Sequence, residues 1–256
     1  MTCSTKVVVV GLGEIGKPLL EIIGKHYDAV GVDLAPPLEP IQQGAILHIC
    51  YPFEIRDFVG ETARYIEQFQ PALTIINSTV GIGTTRAVAE RTRSAVVHSP
   101  VRGKHIRMLD ELYKYVKFVG ALDNLAATQA VSHFESLGLK TKTLSSPEAT
   151  ELAKLTETTY FGLLIAWAQE LERYCDRLGA DYDEIVSFYE EIDFFPRARY
   201  TPGVIGGHCV MPNIDILRKF TSSAILEAIR ESNDKKIRRE TRLDSRIEEL
   251  AQAGGE

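Results

Sequence analysis

The chain has 256 residues, 45% hydrophobic, 25% charged and 8% aromatic, a composition that supports an ordinary globular core of one full domain with a smaller partner. No stretch approaches the roughly 20 uninterrupted apolar residues of a membrane span. A formal net charge of −6 argues against a general nucleic-acid binder, which needs a basic excess to neutralise phosphates.

Lys6-Val7-Val8-Val9-Val10 is a continuous β-branched run, as expected of a strand buried on both faces of a parallel sheet. Nothing before it reads as a signal-peptide core, so a cytoplasmic protein is expected. A glycine-rich turn follows, Pro18–Ile23 has helical spacing, and Ala29–Asp33 reads as a second strand that completes a βαβ unit. Strand-like segments at Ala45–Cys50, Leu73–Asn77, Ala95–His98 and Tyr115–Val119 then alternate with helical ones near Glu54–Gln68, Thr84–Thr92 and Leu125–Leu137. This alternation predicts an α/β fold with a Rossmann-type, doubly wound parallel sheet over residues 1–146. Ser146, Pro147 and Glu148 form a helix-start signal, and residues 147–256 read as a smaller all-helical domain. Its parts are a long central helix over Ala149–Leu178 stopped by Gly179, a helix over Tyr182–Glu191 and a loop over Phe194–Pro212. From Glu231 to Gln252 charge dominates, which predicts a solvated terminal helix or tail.

Gly11-Leu12-Gly13-Glu14-Ile15-Gly16 follows a strand, opens a helix and precedes an acid, Asp33, that ends the next strand. That context turns a common glycine pattern into a dinucleotide site. Gly11 permits the tight turn, Gly13 lets the backbone at Glu14 and Ile15 approach a pyrophosphate, and Gly16 lets helix and sheet pack closely. Asp33 is placed to accept hydrogen bonds from ribose hydroxyls, while Leu34-Ala35-Pro36 offer no cation for a 2′-phosphate, so NAD is the expected cofactor. Cys3, Cys50, Cys175 and Cys209 form no CxxC pair, which suggests neither a zinc ribbon nor a disulfide framework, and no metal is expected. Cys50 and Cys175 read as core residues.

The segment His98-Ser99-Pro100-Val101-Arg102-Gly103-Lys104-His105-Ile106-Arg107 follows a strand at its carboxyl end, where open α/β sheets place ligands. Its cations and histidines suit a phosphate, diphosphate or carboxylate on a substrate. Arg102 can grip such a group bidentately, with Lys104 and His105 beside it. The alternative is a solvated basic loop.

Four further segments resemble, in order, those of the UDP-glucose/GDP-mannose dehydrogenase family. They are Asn77-Ser78-Thr79-Val80-Gly81-Ile82-Gly83-Thr84-Thr85, Glu151-Leu152-Ala153-Lys154-Leu155, the helix reaching Glu170 and Cys175-Asp176, and Pro202-Gly203-Val204-Ile205-Gly206-Gly207-His208-Cys209. The resemblance implies NAD-dependent oxidation of a nucleotide-sugar primary alcohol to a carboxylate in two hydride transfers. Cys209 matches the cysteine nucleophile that captures the intermediate aldehyde as a thiohemiacetal, oxidised to a hydrolysable thioester. Lys154 matches the lysine that stabilises oxyanion charge and Thr79 the threonine that positions water, while Ser78 and Thr79 border the cofactor and Gly206-Gly207 the substrate.

Departures accompany these matches. The family usually carries asparagine four residues after the lysine, aspartate four after the cysteine and glutamate after the Ser-Pro of strand five. This chain has Thr158, Asn213 and Val101-Arg102 there. The family's C-terminal Rossmann-like domain, which closes over the nucleotide, is not expected within residues 210–256, which read as short helices and a charged tail. The substrate, a sugar nucleotide or sugar phosphate, is therefore expected to find its nucleotide pocket on a partner chain or to be smaller. The resemblance also implies a homodimer built on the long helix, with Trp167 as a core or interface anchor. Two rival readings share the same residues: a non-catalytic NAD-binding regulator or assembly subunit, and a redox-neutral NAD-dependent epimerase.

Overall fold

The computed structural model describes residues 6–33, 46–103, 105–193, 198, 200–207 and 209–253. The chain divides into two compact units, Met1–Lys154 and Leu155–Glu256.

In the first unit the elements run β1 (Lys6–Val10), α1 (Gly16–Gly24), β2 (Asp28–Val32), β3 (Ile46–Ile49), α2 (Phe58–Phe69), β4 (Leu73–Ile76), α3 (Thr84–Thr92) and β5 (Val96–His98). A 3-10 turn (His105–Arg107), α4 (Met108–Lys114), β6 (Lys117–Ala121), α5 (Asn124–Ser136) and β7 (Thr141–Leu144) complete it. The strands form one sheet in the order β2-β1-β3-β4-β5-β6-β7. Because successive side chains of a strand point to opposite faces, the valines of β1 serve two cores at once. Val7 and Val9 join Leu19, Ile22 and Ile23 of α1 on one face, and Val8 and Val10 join Leu47, Ile49, Phe58 and Phe69 on the other. Each such burial contributes roughly 1.5–3 kcal/mol, so β1 is the axis of the unit.

The sheet departs from the expected all-parallel arrangement at one place: β5 pairs antiparallel with β6, through Val97–Ala121 and His98–Gly120. The intervening 3-10 turn and α4 span only three and seven residues, so the segment does not make the long crossover that returns a chain parallel. Met108 and Leu112 of α4 join the core cluster that contains α1. Neither α4 nor β7 was legible from periodicity, and β6 begins two residues later than its apolar pattern suggested, at Lys117, whose amine is buried.

Among the described residues of the second unit, every regular element is a helix. α6 (Pro147–Leu178) begins in the first unit, with Ser146 Oγ accepting from the Ala149 amide at 3.1 Å as its cap. It is followed by α7 (Tyr182–Glu190), α8 (Val210–Phe220) and α9 (Ala224–Ala253). The charged C-terminal stretch differs from the solvated helix expected. α9 begins well before Glu231, Ile229 and Asn233 are buried, and Lys236 is buried against Glu172, with Nζ–O distances of 3.0 and 2.8 Å. Helical spacing puts those positions on one face, which a charge count alone does not reveal.

Candidate functional site

The order β2-β1-β3 places the switch point of the sheet between β1 and β3, where chain connections diverge and carboxyl strand ends open a crevice. Gly11 leaves β1 there with its amide donating to the Val32 carbonyl at 2.8 Å. A Cβ at Gly11 would lie 2.6 Å from the Tyr51 amide nitrogen and 2.9 Å from the Cys50 carbonyl carbon, and its φ is +90°. A Cβ at Gly16 would lie 1.8 Å from the Gly11 carbonyl oxygen. The first and third glycines are therefore interlocked, whereas the Cβ position of Gly13 meets nothing within 4 Å and its backbone stays approachable. Ile15 is the N-cap of α1, no side chain caps that terminus, and no acid lies in its first turn. Elsewhere the chain uses ordinary caps, as Asp57, Asp123 and Asp181 accept from amides three residues on. An uncapped, positively polarised helix end beside an open glycine backbone fits a pyrophosphate. Asp33 is exposed beside this turn, directly after β2. Leu34, Ala35 and Pro36 lie outside the described residues, as does Cys3.

Ser78 and Thr79 follow β4 on the same edge. The Ser78 hydroxyl donates to the Tyr51 carbonyl at 2.6 Å, so it braces the end of β3, while Thr79 is half-buried. Arg102 lies over the Tyr115 and Phe118 rings, at 5.6 and 5.5 Å, so its guanidinium is held by aromatic faces rather than being a freely solvated charge. Lys104 and the side chain of His105 lie outside what is described.

In the second unit, Cys209 is half-buried, in no disulfide, and is the N-cap residue of α8, where no side chain caps the helix. The macrodipole of α8 favours an anion at that end. The loop before it is anchored at Ile205, whose amide donates to Asn233 Oδ1 at 2.7 Å and whose carbonyl accepts from Asn233 Nδ2 at 3.0 Å. Gln169 Nε2 donates to the Gly203 carbonyl at 2.8 Å and to Asn233 Oδ1 at 3.3 Å. Gly206 and Gly207 beyond this anchor are exposed, so a fixed hinge presents an open glycine pair to solvent. Sequence reasoning missed Gln169 and Asn233; a buried amide on a charged helix was the available signal. Arg197, Arg199 and His208, which neighbour the thiol in sequence, lie outside the described residues.

Residues 148–235 match the UDP-glucose/GDP-mannose dehydrogenase family, central domain. A UDP-N-acetyl-D-mannosamine dehydrogenase of Methanococcus vannielii is 26% identical over 286 residues, covering 90% of this chain and 65% of that one. The chain thus spans about two thirds of that relative's length. An NDP-N-acetyl-D-galactosaminuronic acid dehydrogenase of Ralstonia nicotianae is 23% identical, covering 89% of this chain and 68% of its own. Among solved structures, the UDP-D-ManNAc dehydrogenase of Pyrococcus horikoshii superposes with a TM-score of 0.81 at 21% identity, over 97% of this chain and 72% of that one, which shows a shared fold.

Against the family pattern, the two departures near Cys209 turn out to be partners. Asn213 Nδ2 donates to Thr158 Oγ1 at 3.0 Å, and Thr158 Oγ1 donates to the Leu155 carbonyl at 3.0 Å, both side chains being buried. The Asn213 backbone amide closes the first turn of α8 on the Cys209 carbonyl at 3.3 Å. Neither side chain ionises, so this pair joins α6 to α8 one turn after Cys209 and supplies no base. Two other cysteines, Cys50 and Cys175, are buried. Burial pushes the Cys50 thiol up to about 12, and Cys175 is buried in a cluster with Leu171 and Val186.

Under the β4 end lies a buried polar chain that the sequence did not announce. Lys117 Nζ donates to the Ser99 carbonyl at 2.5 Å and to Asn77 Oδ1 at 3.1 Å. Asn77 Nδ2 faces His48 Nδ1 at 3.1 Å, and His48 Nε2 faces His133 Nε2 at 2.9 Å. Since the amide nitrogen must donate, His48 Nδ1 accepts, His48 Nε2 carries the proton, and His133 is protonated at Nδ1, which has no partner among the described residues. Burial pushes Lys117 down to about 7 and His133 down to about 4, and holds His48 well below its ordinary value. No group of three or more His, Cys, Asp or Glu among the described residues is arranged to hold a metal ion, and none of their helices is long and apolar enough to cross a membrane.

Proposed function

We propose that the chain is an NAD-dependent oxidoreductase that oxidises a primary alcohol of a nucleotide-linked or phosphorylated sugar. The observation that carries this reading is the occurrence in one chain of an interlocked glycine turn at a sheet switch point and a cysteine at an uncapped helix N-terminus behind an anchored Gly-Gly loop. Gly11, Gly13, Gly16 and the first turn of α1 hold the pyrophosphate, Asp33 the adenosine ribose, and Thr79 borders the nicotinamide end. When bound, NAD takes up the hydride. Lys154 stabilises negative charge on the reacting oxygen, and Cys209 adds to the aldehyde carbon so that the intermediate stays covalently held. Arg102, with Lys104 and His105, receives the phosphate-bearing part of the substrate.

The named activities of the relatives support a nucleotide sugar as the substrate class. The test is NADH formed per substrate consumed, measured by absorbance with NAD and a panel of nucleotide sugars and sugar phosphates. Two per substrate is expected. One would remove the thiol from the reaction, and none, with NAD demonstrably bound, would overturn the dehydrogenase in favour of a regulator or an epimerase.

A homodimer on α6 completes the reading. Tyr160, Leu163, Trp167, Tyr174 and Leu178 recur at helical spacing on one face, and all are exposed, Trp167 by 50% and Leu178 by 81%. Light scattering is expected to give twice the chain mass, and Trp167→Glu to halve it; a monomeric parent would sink the proposal.

A further inference from the structure

We propose that Glu151 and His98 are positioning residues that hold the helix bearing Lys154 in register with the Ser78–Thr79 segment. The inference rests on the role given to Lys154 above. α3 is capped differently from α2, α5 and α7: its N-cap, Gly83, has no side chain to offer. The Glu151 carboxylate serves instead. Oε2 accepts from the Gly83 amide at 2.6 Å, and Oε1 accepts from the Thr85 amide at 2.9 Å and the Thr85 hydroxyl at 2.7 Å. Glu151 is fully buried, and burial pushes its carboxyl up while these donors pull it back. A buried carboxylate is costly even when bonded, and a local Asp cap would have served the helix end at the surface. What the distant carboxylate adds is a connection: it fixes the α6 backbone against the loop that leaves β4 through Ser78 and Thr79.

A second tie runs beside the first. His98, fully buried at the end of β5 and pushed down to about 3 by that burial, is a neutral imidazole. Its Nε2 donates to the Ser78 carbonyl at 3.1 Å, so its Nδ1 is an acceptor and faces Thr150 Oγ1 at 2.8 Å, a hydroxyl whose one proton is shared between that nitrogen and the Pro147 carbonyl, also at 2.8 Å. Thr150, Glu151 and Lys154 lie four and three residues apart and share one face of α6. The positive charge of Lys154 adds, less than burial does, to the lowering of His98 and Lys117. Arg86 of α3, bonded to Glu148 at 2.7 Å, adds an exposed third contact. The first turns of α6 are thereby registered to the ends of β4 and β5 before Lys154 is reached.

The experiment is a double-mutant cycle with a labelling readout on the full chain. Glu151→Gln, which turns an amide donor toward other donors, is expected to lower kcat at least 30-fold with NAD affinity changed less than threefold. In the Lys154→Ala background it should lower the residual rate less than threefold, because a positioning residue has nothing left to position. Independently of turnover, acetic anhydride labelling of Lys154 in the NAD-saturated protein, read by peptide mass spectrometry, should change at least fivefold in Glu151→Gln and in His98→Asn. Should Glu151→Gln not fold, Thr85→Val, which removes one donor, is expected to show the same pattern at about fivefold in kcat. Multiplicative losses in the double mutant, or unchanged Lys154 labelling, overturn the proposal. If the parent turns over no substrate, the function reading fails and the labelling result alone decides whether the ties position Lys154.

Discussion

The unfolding free energy is expected to fall steeply as pH drops from about 6.5 towards 4, and to rise between neutrality and about pH 10. Both slopes come from bases buried neutral. His98 and His133 are pushed down to about 3 and about 4, and His48 well below its ordinary value, chiefly by desolvation. A base whose pKa is depressed by folding binds fewer protons in the folded than in the unfolded chain. Its stabilisation is therefore complete above the unfolded pKa and is lost as pH falls through the window to the folded one. For the histidines that window opens at 6.5, each group contributing roughly 1.4 kcal/mol per pH unit. Lys117, with an ordinary value of 10.5 and a folded value of about 7, opens a second window above neutrality, worth on the order of 5 kcal/mol across its full width. Urea unfolding across pH 5 to 10, with Lys117→Met in parallel, checks this: the variant should lose the upper slope and keep the lower one. A profile flat above pH 7 in the parent, or an unchanged upper slope in the variant, would show that Lys117 is not held neutral by the fold.

How much of this was legible in the sequence depends on whether a feature is local. The four valines of β1, the GxGxxG turn, the acid after β2 and the Ser-Pro-Glu start of α6 are each set by neighbours along the chain, and the structure has them where the pattern put them. Thr84–Thr92 emerged as a helix with those bounds. The features that escaped join distant segments. Lys117 opens a strand that apolar periodicity had placed two residues earlier, because a buried, hydrogen-bonded amine occupies a core position there. Glu151 appeared only as part of a family-like motif, since nothing in the sequence says that its carboxylate caps a helix 66 residues upstream. Thr158 and Asn213 were read as two separate weakenings of a catalytic pattern, and only their 3.0 Å contact shows that they are one substitution in physical terms. Gln169 and Asn233, which anchor the glycine loop, were hidden in helices whose charged residues dominate the count.

Cys209→Ala is expected to abolish conversion to the acid, on the order of 10³-fold or more, while NAD binding stays unchanged. The thiol sits at the N-terminus of α8 with an open glycine pair before it, so a carbonyl carbon presented there meets a nucleophile at the end of a helix that stabilises negative charge. Addition of Sγ to an aldehyde leaves an alkoxide that takes up a proton to become a thiohemiacetal. Release of that carbon's hydride, which a second NAD would take up, together with the hydroxyl proton gives a thioester, and water must then cleave it. The neutral Thr158–Asn213 pair one turn along α8 offers no base for this last step, so thioester cleavage is expected to be slow relative to its formation. The parent protein, quenched during turnover, should therefore carry an acyl adduct on the Cys209 peptide, visible by mass spectrometry. The alanine variant should carry none and should release aldehyde that a hydrazine reagent traps, with one NADH per substrate instead of two. If parent and Cys209→Ala instead turn over at the same rate and both form one NADH per substrate, the thiol has no part in the chemistry. The reaction would then be a single alcohol oxidation depending on Lys154, which Lys154→Ala would abolish.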